Sequence, residues 1–285
     1  MKEKNEIYQQ LEQGQIDIIV GTHALFQDKV QYNQLGLVIT DEQHRFGVEQ
    51  RKALKNKGNK VDFLVMTATP IPRTLAISLY GDMDVSTIKT MPNGRKKVIT
   101  RFVKGISMKP ILKDLKDYLA SGGQCYVVCP LVSESEAIEG RNASDISKAM
   151  ASYFKGQYEV GLVHGQMNDE EKNQVMEAFK ENKIQVLVST TVIEVGVDVS
   201  NANMMVIYNA ERFGLSQLHQ LRGRVGRSKE QGYCYLLSQA SNSEQKERLE
   251  FLENHHDGFE VSEYDLKIRV QVIYLDKNKA GYQLL

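Results

Sequence analysis

Short apolar runs alternate with longer stretches in which apolar residues recur at helical spacing, and the alternation continues along the chain. A run of about four or five apolar or β-branched residues between polar or glycine boundaries reads as a buried strand of a parallel sheet. Ile16–Val20, Leu37–Thr40 and Phe63–Met66 are of this kind. Between them, Val48–Lys57 is polar and basic, like a surface helix. Met91-Pro-Asn-Gly-Arg-Lys-Lys97 is turn-rich and basic without periodicity, so a domain linker is expected there.

The second half repeats the pattern more completely. Val98–Val103, Cys125–Cys129, Val160–Val163, Val186–Ser189, Met204–Tyr208 and Tyr233–Leu237 are expected strands. Ile111–Leu119, after Pro110, is apolar at helical spacing. Asn168-x-x-Glu171 has the form of a capping box, and the helix it opens should run to about Asn182 with Val175, Met176 and Phe179 on one face. Glu244–Asn254 reads as a further helix. Strands alternating with helices predict an α/β fold with parallel sheets. The expected division is a partial first domain over 1–94, a second over 95–240 and a helical segment over 241–285.

Composition narrows the classes. A chain of 285 residues suffices for about two ordinary domains. Apolar residues at 41% and charged residues at 25% exclude wholesale disorder. The 36 basic and 36 acidic side chains cancel, so contact with nucleic acid must come from a local arrangement of Lys and Arg. Arg95, Lys96, Lys97, Arg101 and Lys104, with Lys109 and Lys113, form one such cluster; a solvated linker is the other reading. Cys125, Cys129 and Cys234 lack metal-ligand spacing and are expected to behave as small buried hydrophobes, with no structural zinc. No apolar run approaches the roughly 18 residues that span a bilayer, and a cytoplasmic protein with no membrane partner is expected.

Four stretches carry chemistry. Leu37-Val-Ile-Thr-Asp-Glu-Gln-His44 ends an apolar strand in two carboxylates at the carboxyl edge of a parallel sheet, where α/β proteins bind ligands. Hydrolysis of a nucleoside triphosphate needs one carboxylate to hold Mg²⁺, usually through water, and another to orient and deprotonate the attacking water. Asp41 suits the first role and Glu42 the second; a solvated strand end is the alternative. Met66-Thr-Ala-Thr-Pro-Ile-Pro-Arg-Thr74 forms a rigid, hydroxyl-bearing loop suited to relaying the state of Asp41–His44, or a plain strand–helix connection. Ser189-Thr-Thr-Val-Ile-Glu-Val-Gly-Val-Asp198 follows a strand, and Gln217-Leu-His-Gln-Leu-Arg-Gly-Arg-Val-Gly-Arg227 sets Arg222, Arg224 and Arg227 among glycines that admit a phosphate. A forked, permanently charged guanidinium stabilises charge on a transferring phosphoryl group. The bland reading is a basic helix end.

In this order and spacing, Asp-Glu-Gln-His, TATPIPRT and QLRGRVGR resemble motifs II, III and VI of superfamily-2 helicases. DEQHRFGVEQR, TATPIPRTLAISLYGDMDVS, CYVVCPLVSESE and ERFGLSQLHQLRGRVGRS resemble the RecG family over about residues 1–269. His44 and CPLVSESE favour it over the transcription-repair coupling translocases. The resemblance implies two RecA-like domains, the first incomplete, that use ATP and Mg²⁺ to move on branched DNA such as forks and Holliday junctions, as a monomer when full length. It implies a catalytic set of Asp41, Glu42, His44, Arg224 and Arg227, the two arginines serving as fingers. ATP contacts are implied at Gln43, Thr67, Thr69, Gly196, Asp198, Gln220 and Gly223. DNA contacts are implied at Thr22, His23, Arg73, His164, Thr190 and Thr191. Gly21–Leu25 resembles the family's Ib region and Val163–Met167 its motif IV region. The stretch from Glu244 to Arg269 resembles a helical hairpin that couples hydrolysis to translocation; two surface helices packed on the second domain is the other reading.

Two departures stand out. No Gly-Lys-Ser/Thr triplet occurs among the 285 residues, so the phosphate-cradling loop is missing from them. After Arg269 the family continues into a Gly-Pro-Gly loop, whereas this chain reads Val270-Gln-Val-Ile-Tyr-Leu-Asp276. A non-catalytic DNA-binding fragment and a magnesium-dependent phosphoesterase using Asp41 and Glu42 are the rival readings.

Overall fold

The computed structural model describes residues 2–41, 57–58, 60–67, 84–88, 90, 94–130, 136–190, 199–227 and 229–279. The chain divides into two compact units, Met1–Pro70 and Ile71–Leu285. In the first, helix α1 (Lys2–Glu12) precedes strands β1 (Leu37–Thr40) and β2 (Asp62–Val65), which pair in parallel with Thr40 opposite Val65. Lys57 Nζ donates to the carbonyls of Gln27 and Val30 at 2.6 and 2.7 Å, closing the loop around buried Val30.

Both strands form where the apolar runs predict them, but they are not buried. Leu37 and Ile39 are each 55% exposed and Leu64 49%, because nothing among the described residues covers that face. Ile16–Val20 is not a strand at all: it is irregular, with Ile18 83% and Val20 92% exposed. An apolar run becomes a strand only when a neighbour satisfies its N–H and C=O groups, and no described strand pairs with this one. Residues 48–56, which make up nearly all of the expected surface helix, lie outside the described residues.

The second unit is built on a six-stranded, all-parallel sheet. Its strands are β3 (Ile99–Lys104), β4 (Cys125–Val128), β5 (Val160–Val163), β6 (Val186–Ser189), β7 (Met204–Ile207) and β8 (Tyr233–Ser238), in the order β3-β8-β7-β4-β6-β5. Side chains alternate across the pleat, so successive residues of one strand feed two cores. Cys125, Val127, Val186, Val188, Met204, Val206 and Leu237 face α2 (Leu112–Ala120) and α3 (Glu136–Tyr153), with Leu115, Leu119 and Phe154. Tyr126, Val128, Leu187, Met205, Ile207, Cys234 and Leu236 face the other layer, of α4 (Asp169–Lys180), α5 (Leu215–Arg222), α6 (Ser243–Asn254) and α7 (Gly258–Lys279). All three cysteines are free and buried, as the sequence predicts, and burial pushes the Cys129 and Cys234 thiols up to about 12. The capping box is present: Glu171 N donates to Asn168 Oδ1 at 2.8 Å and Asn168 N to Glu171 Oε2 at 3.2 Å. Asn182 sits at φ 58 just past the helix it was expected to end.

Arg222 belongs to this architecture and not to a ligand site. Sequence groups it with Arg224 and Arg227, yet it is 3% exposed. Its Nη1 donates to the carbonyls of Leu252 and His255 at 2.7 and 2.8 Å, and its Nη2 to His219 Nδ1 at 2.9 Å. One planar fork thereby satisfies carbonyls at the end of α6 and fixes α5 against the turn into α7. Phe251 stacks between His255 and Tyr264, with ring centroids 3.8 Å away on each side. Ser216 donates to Asp265 at 3.3 Å, so the α6–α7 pair is docked on the second sheet's helical layer.

Two outcomes follow from this packing. Amide hydrogen exchange should be faster at Val38–Thr40 than at Val186–Ser189, because the first strands form a two-stranded sheet with an exposed face; equal protection would contradict this. The second outcome concerns His219, which must keep Nδ1 unprotonated to accept from Arg222. Burial, and next the Arg222 charge, lower its pKa from 6.5 to about 4. As pH falls through that window the unfolded chain takes up a proton that the folded one refuses, so stability falls by up to about 3 kcal/mol. Urea unfolding of the native chain between pH 7 and pH 4 should show this loss, and His219→Asn should flatten it. Parallel pH curves for the two proteins would refute the assignment.

Candidate functional site

Parallel strands gather their carboxyl ends along one edge, and polar residues meet there in both units. In the first, Met66 N donates to Thr40 O at 2.8 Å, extending the β1–β2 ladder by one bond. Asp41 and Thr67 therefore leave the same edge of the sheet from adjacent strands, both exposed. The Asp-Glu and Thr-Ala-Thr stretches thus start from adjacent strands at one sheet edge. Thr22 is exposed and precedes a short 3₁₀ turn over His23–Phe26. Glu42, Gln43, His44, Thr69 and Arg73 lie outside the described residues.

In the second unit β5 and β6 end together, with Val163 opposite Ser189. His164 and Thr190 follow, and Thr190 N donates to Val163 O at 3.3 Å. Thr190 and Ser189 are fully buried, and among the described residues their hydroxyls and His164 Nδ1, also buried, have no hydrogen-bond partner. Thr191, Gly196 and Asp198 fall outside the described residues.

The arginine loop stands elsewhere. Helix α5 ends at Gly223, whose N donates to His219 O at 2.9 Å, and Arg224 N still donates to Leu221 O at 2.9 Å. Val225 is fully buried in the core, which leaves half-buried Arg224 and exposed Arg227 on either side of an anchored residue. Gly226 then turns the chain at φ +72. A Cβ there would sit 2.8 Å from Val98 Cγ2, and one on Gly232 would sit 2.9 Å from Gly226 Cα. Val98 and Gly232 immediately precede β3 and β8, so the loop lies at the amino edge of the sheet, opposite His164 and Thr190. Gln220, one turn before Arg224, is partly buried on α5.

Sequence reasoning missed the residues that shape this loop. Gly226 N donates to Asn203 Oδ1 at 3.2 Å, and Asn203 Nδ2 donates to Ser200 O at 2.9 Å. Arg95 Nε donates to Gly226 O at 2.9 Å and its Nη2 to Gly223 O at 3.4 Å; Arg227 Nε reaches the same Gly223 carbonyl at 3.4 Å. Arg95 therefore turns inward from the basic cluster, and Arg101 of that cluster pairs with Asp114 at 3.4 Å. Lys96 and Lys97 remain exposed. No local pattern marks Asn203 or Arg95, because their partners are carbonyls and amides distant in sequence.

Residues 1–77 match the DEAD/DEAH box helicase family and residues 110–229 the helicase conserved C-terminal domain. The ATP-dependent DNA helicase RecG of Bacillus subtilis is 52% identical over 280 residues, covering 98% of this chain and 41% of the relative. The Streptococcus pneumoniae protein of the same name is 51% identical over 267 residues, covering 94% of this chain and 40% of its own length. The chain thus spans about two fifths of the curated relatives it matches. A structure of RecG bound to a three-way DNA junction superposes with a TM-score of 0.74 at 47% identity, over 93% of this chain and 34% of that one. Such identity over both RecA-like units, with the Asp41 strand end and the QLRGRVGR loop in place, means that the chain belongs to the RecG group of superfamily-2 helicases.

Proposed function

We propose that these residues are the motor portion of an ATP-dependent DNA helicase or translocase that remodels branched DNA, including forks and Holliday junctions, in recombination and repair. The observation that carries the reading is the separation of two polar sites on one sheet. His164 and Thr190 lie at its carboxyl edge, and the Arg224–Arg227 loop lies at its amino edge. A motor needs one surface that holds nucleic acid and another that meets nucleotide. The relative seen on a three-way junction supports branched DNA as the substrate class.

In this reading residues 1–94 hold nucleotide, 95–240 answer it, and 241–285 transmit the result; the whole protein works as a monomer. ATP with Mg²⁺ supplies the phosphoryl transfer that drives movement. Asp41 fits an ion held through water, since its carboxylate is exposed at a strand end. Glu42 would orient and deprotonate the attacking water, and His44 completes the proposed catalytic set. Gln43, Thr67, Thr69, Gly196, Asp198, Gln220 and Gly223 line the nucleotide. Arg224 and Arg227 meet charge on the γ-phosphoryl. Thr22, His23, Arg73, His164, Thr190 and Thr191 track the DNA backbone without reading bases.

The test uses a chimera in which these 285 residues replace the matching region of the Bacillus subtilis relative, with the 285 residues alone as a control. The control should turn over ATP at background, because it contains no Gly-Lys-Ser/Thr triplet. In the chimera, Arg224→Ala or Arg227→Ala should lower fork-stimulated ATP turnover by roughly 10³–10⁵. Fork affinity should change less than about threefold, because many dispersed phosphate contacts share it. Lysine should rescue poorly for want of a planar fork. If turnover and affinity fall by the same factor, the arginines are DNA contacts or structural supports.

A further inference from the structure

The stretch ahead of β3 is laced to the arginine loop. Arg95 Nε and Nη2 reach the carbonyls of Gly226 and Gly223, Gln231 Nε2 donates to Lys97 O at 2.7 Å, and Ile99 N donates to Gly232 O at 2.9 Å. These contacts run in order, residues 95 to 99 along 226 to 232. The two carbonyls that Arg95 holds flank Arg224 and Val225 on both sides, and Gly226 joins that pair to Arg227. With Asn203 on its N–H and Arg95 on its carbonyl, Gly226 has both main-chain polar groups fixed.

We infer that Arg95 is a positioning residue for the arginine loop: its guanidinium holds the backbone that aims Arg224 and Arg227, and it contacts neither nucleotide nor DNA. The inference rests on the proposed motor function. A guanidinium suits the task because its donors lie in one rigid plane and can bridge two carbonyls, as an ammonium cannot do with fixed geometry. Both acceptors are main-chain groups at or near a left-handed glycine, so losing the bridge loosens the Gly223–Arg224 and Gly226–Arg227 peptides. A misplacement of about 1 Å in a group that meets a transition state can cost about 10²-fold in rate.

The test compares Arg95→Ala, Arg95→Gln and Arg95→Lys in the same chimera. Positioning predicts a fall in kcat of about tenfold to 10²-fold at saturating fork DNA. The KM for ATP and the Kd for the fork should each move less than about threefold, and Lys should restore little. On an Arg224→Ala, Arg227→Ala background, Arg95→Gln should cost nothing further, since it acts only through those side chains. Unchanged kcat with weakened fork binding and a shallower salt dependence would overturn the inference and make Arg95 a phosphate contact. An additive loss on the double-alanine background, or a kcat loss matched by a falling unfolding temperature, would overturn it in favour of general support. If Arg224→Ala leaves turnover intact, the motor assignment of the loop fails; if only the Arg95 variants are silent, the positioning inference alone fails.

Discussion

At Gly226 the main chain passes against the starts of two neighbouring parallel strands, and a single methyl group would not fit. The position needs a left-handed φ of +72 and meets Val98 on one side and Gly232 on the other. Only glycine meets both demands without strain. The consequence is positional: Val225 is driven into the core and its arginine neighbours are held outside it at the amino edge of the sheet. Arg95 and Asn203 take the polar groups that this turn leaves over. The loop's shape is thus set by backbone packing, and the arginines inherit it.

The rest of the second unit makes such a fixed edge possible. Six parallel strands with both faces covered supply a platform whose ends do not move independently. Truncating a core residue such as Leu187 would cost about 2–5 kcal/mol and loosen both edges together. Arg222, on α5 beside its acceptor His219, extends the platform to α6 and the turn into α7 through the carbonyls of Leu252, His255 and His256. A buried cation bound by dipoles alone is expensive to desolvate, and it is tolerated because its two terminal nitrogens each find two acceptors. Motions of α6–α7 and of the arginine loop therefore share one helix, α5.

Sequence made the second sheet legible because its central strands are apolar on both faces and bounded by polar residues, and because Asn168 and Glu171 announce a helix start. It was less informative in the first unit. Ile16–Val20 has the composition of a strand but no described neighbour, and pairing is a tertiary property that composition does not encode. The sequence pattern above does not anticipate helices α1 and α3. The three arginines of QLRGRVGR looked equivalent, yet their spacing on a helix end turns Arg222 inward and Arg224 and Arg227 outward. Arg95 looked like one more cation in a basic cluster; its carbonyl partners lie more than a hundred residues away and leave no local trace.

The central claim is that backbone geometry at Gly226 places the proposed arginine pair, and Gly226→Ala in the chimera tests it most directly. The account predicts a fold destabilised by about 1–3 kcal/mol, from the strained φ and the contact with Val98. It also predicts that, under conditions where the variant is fully folded, fork-stimulated turnover falls at least tenfold while fork affinity stays within about threefold. A folded Gly226→Ala protein with normal turnover would contradict it.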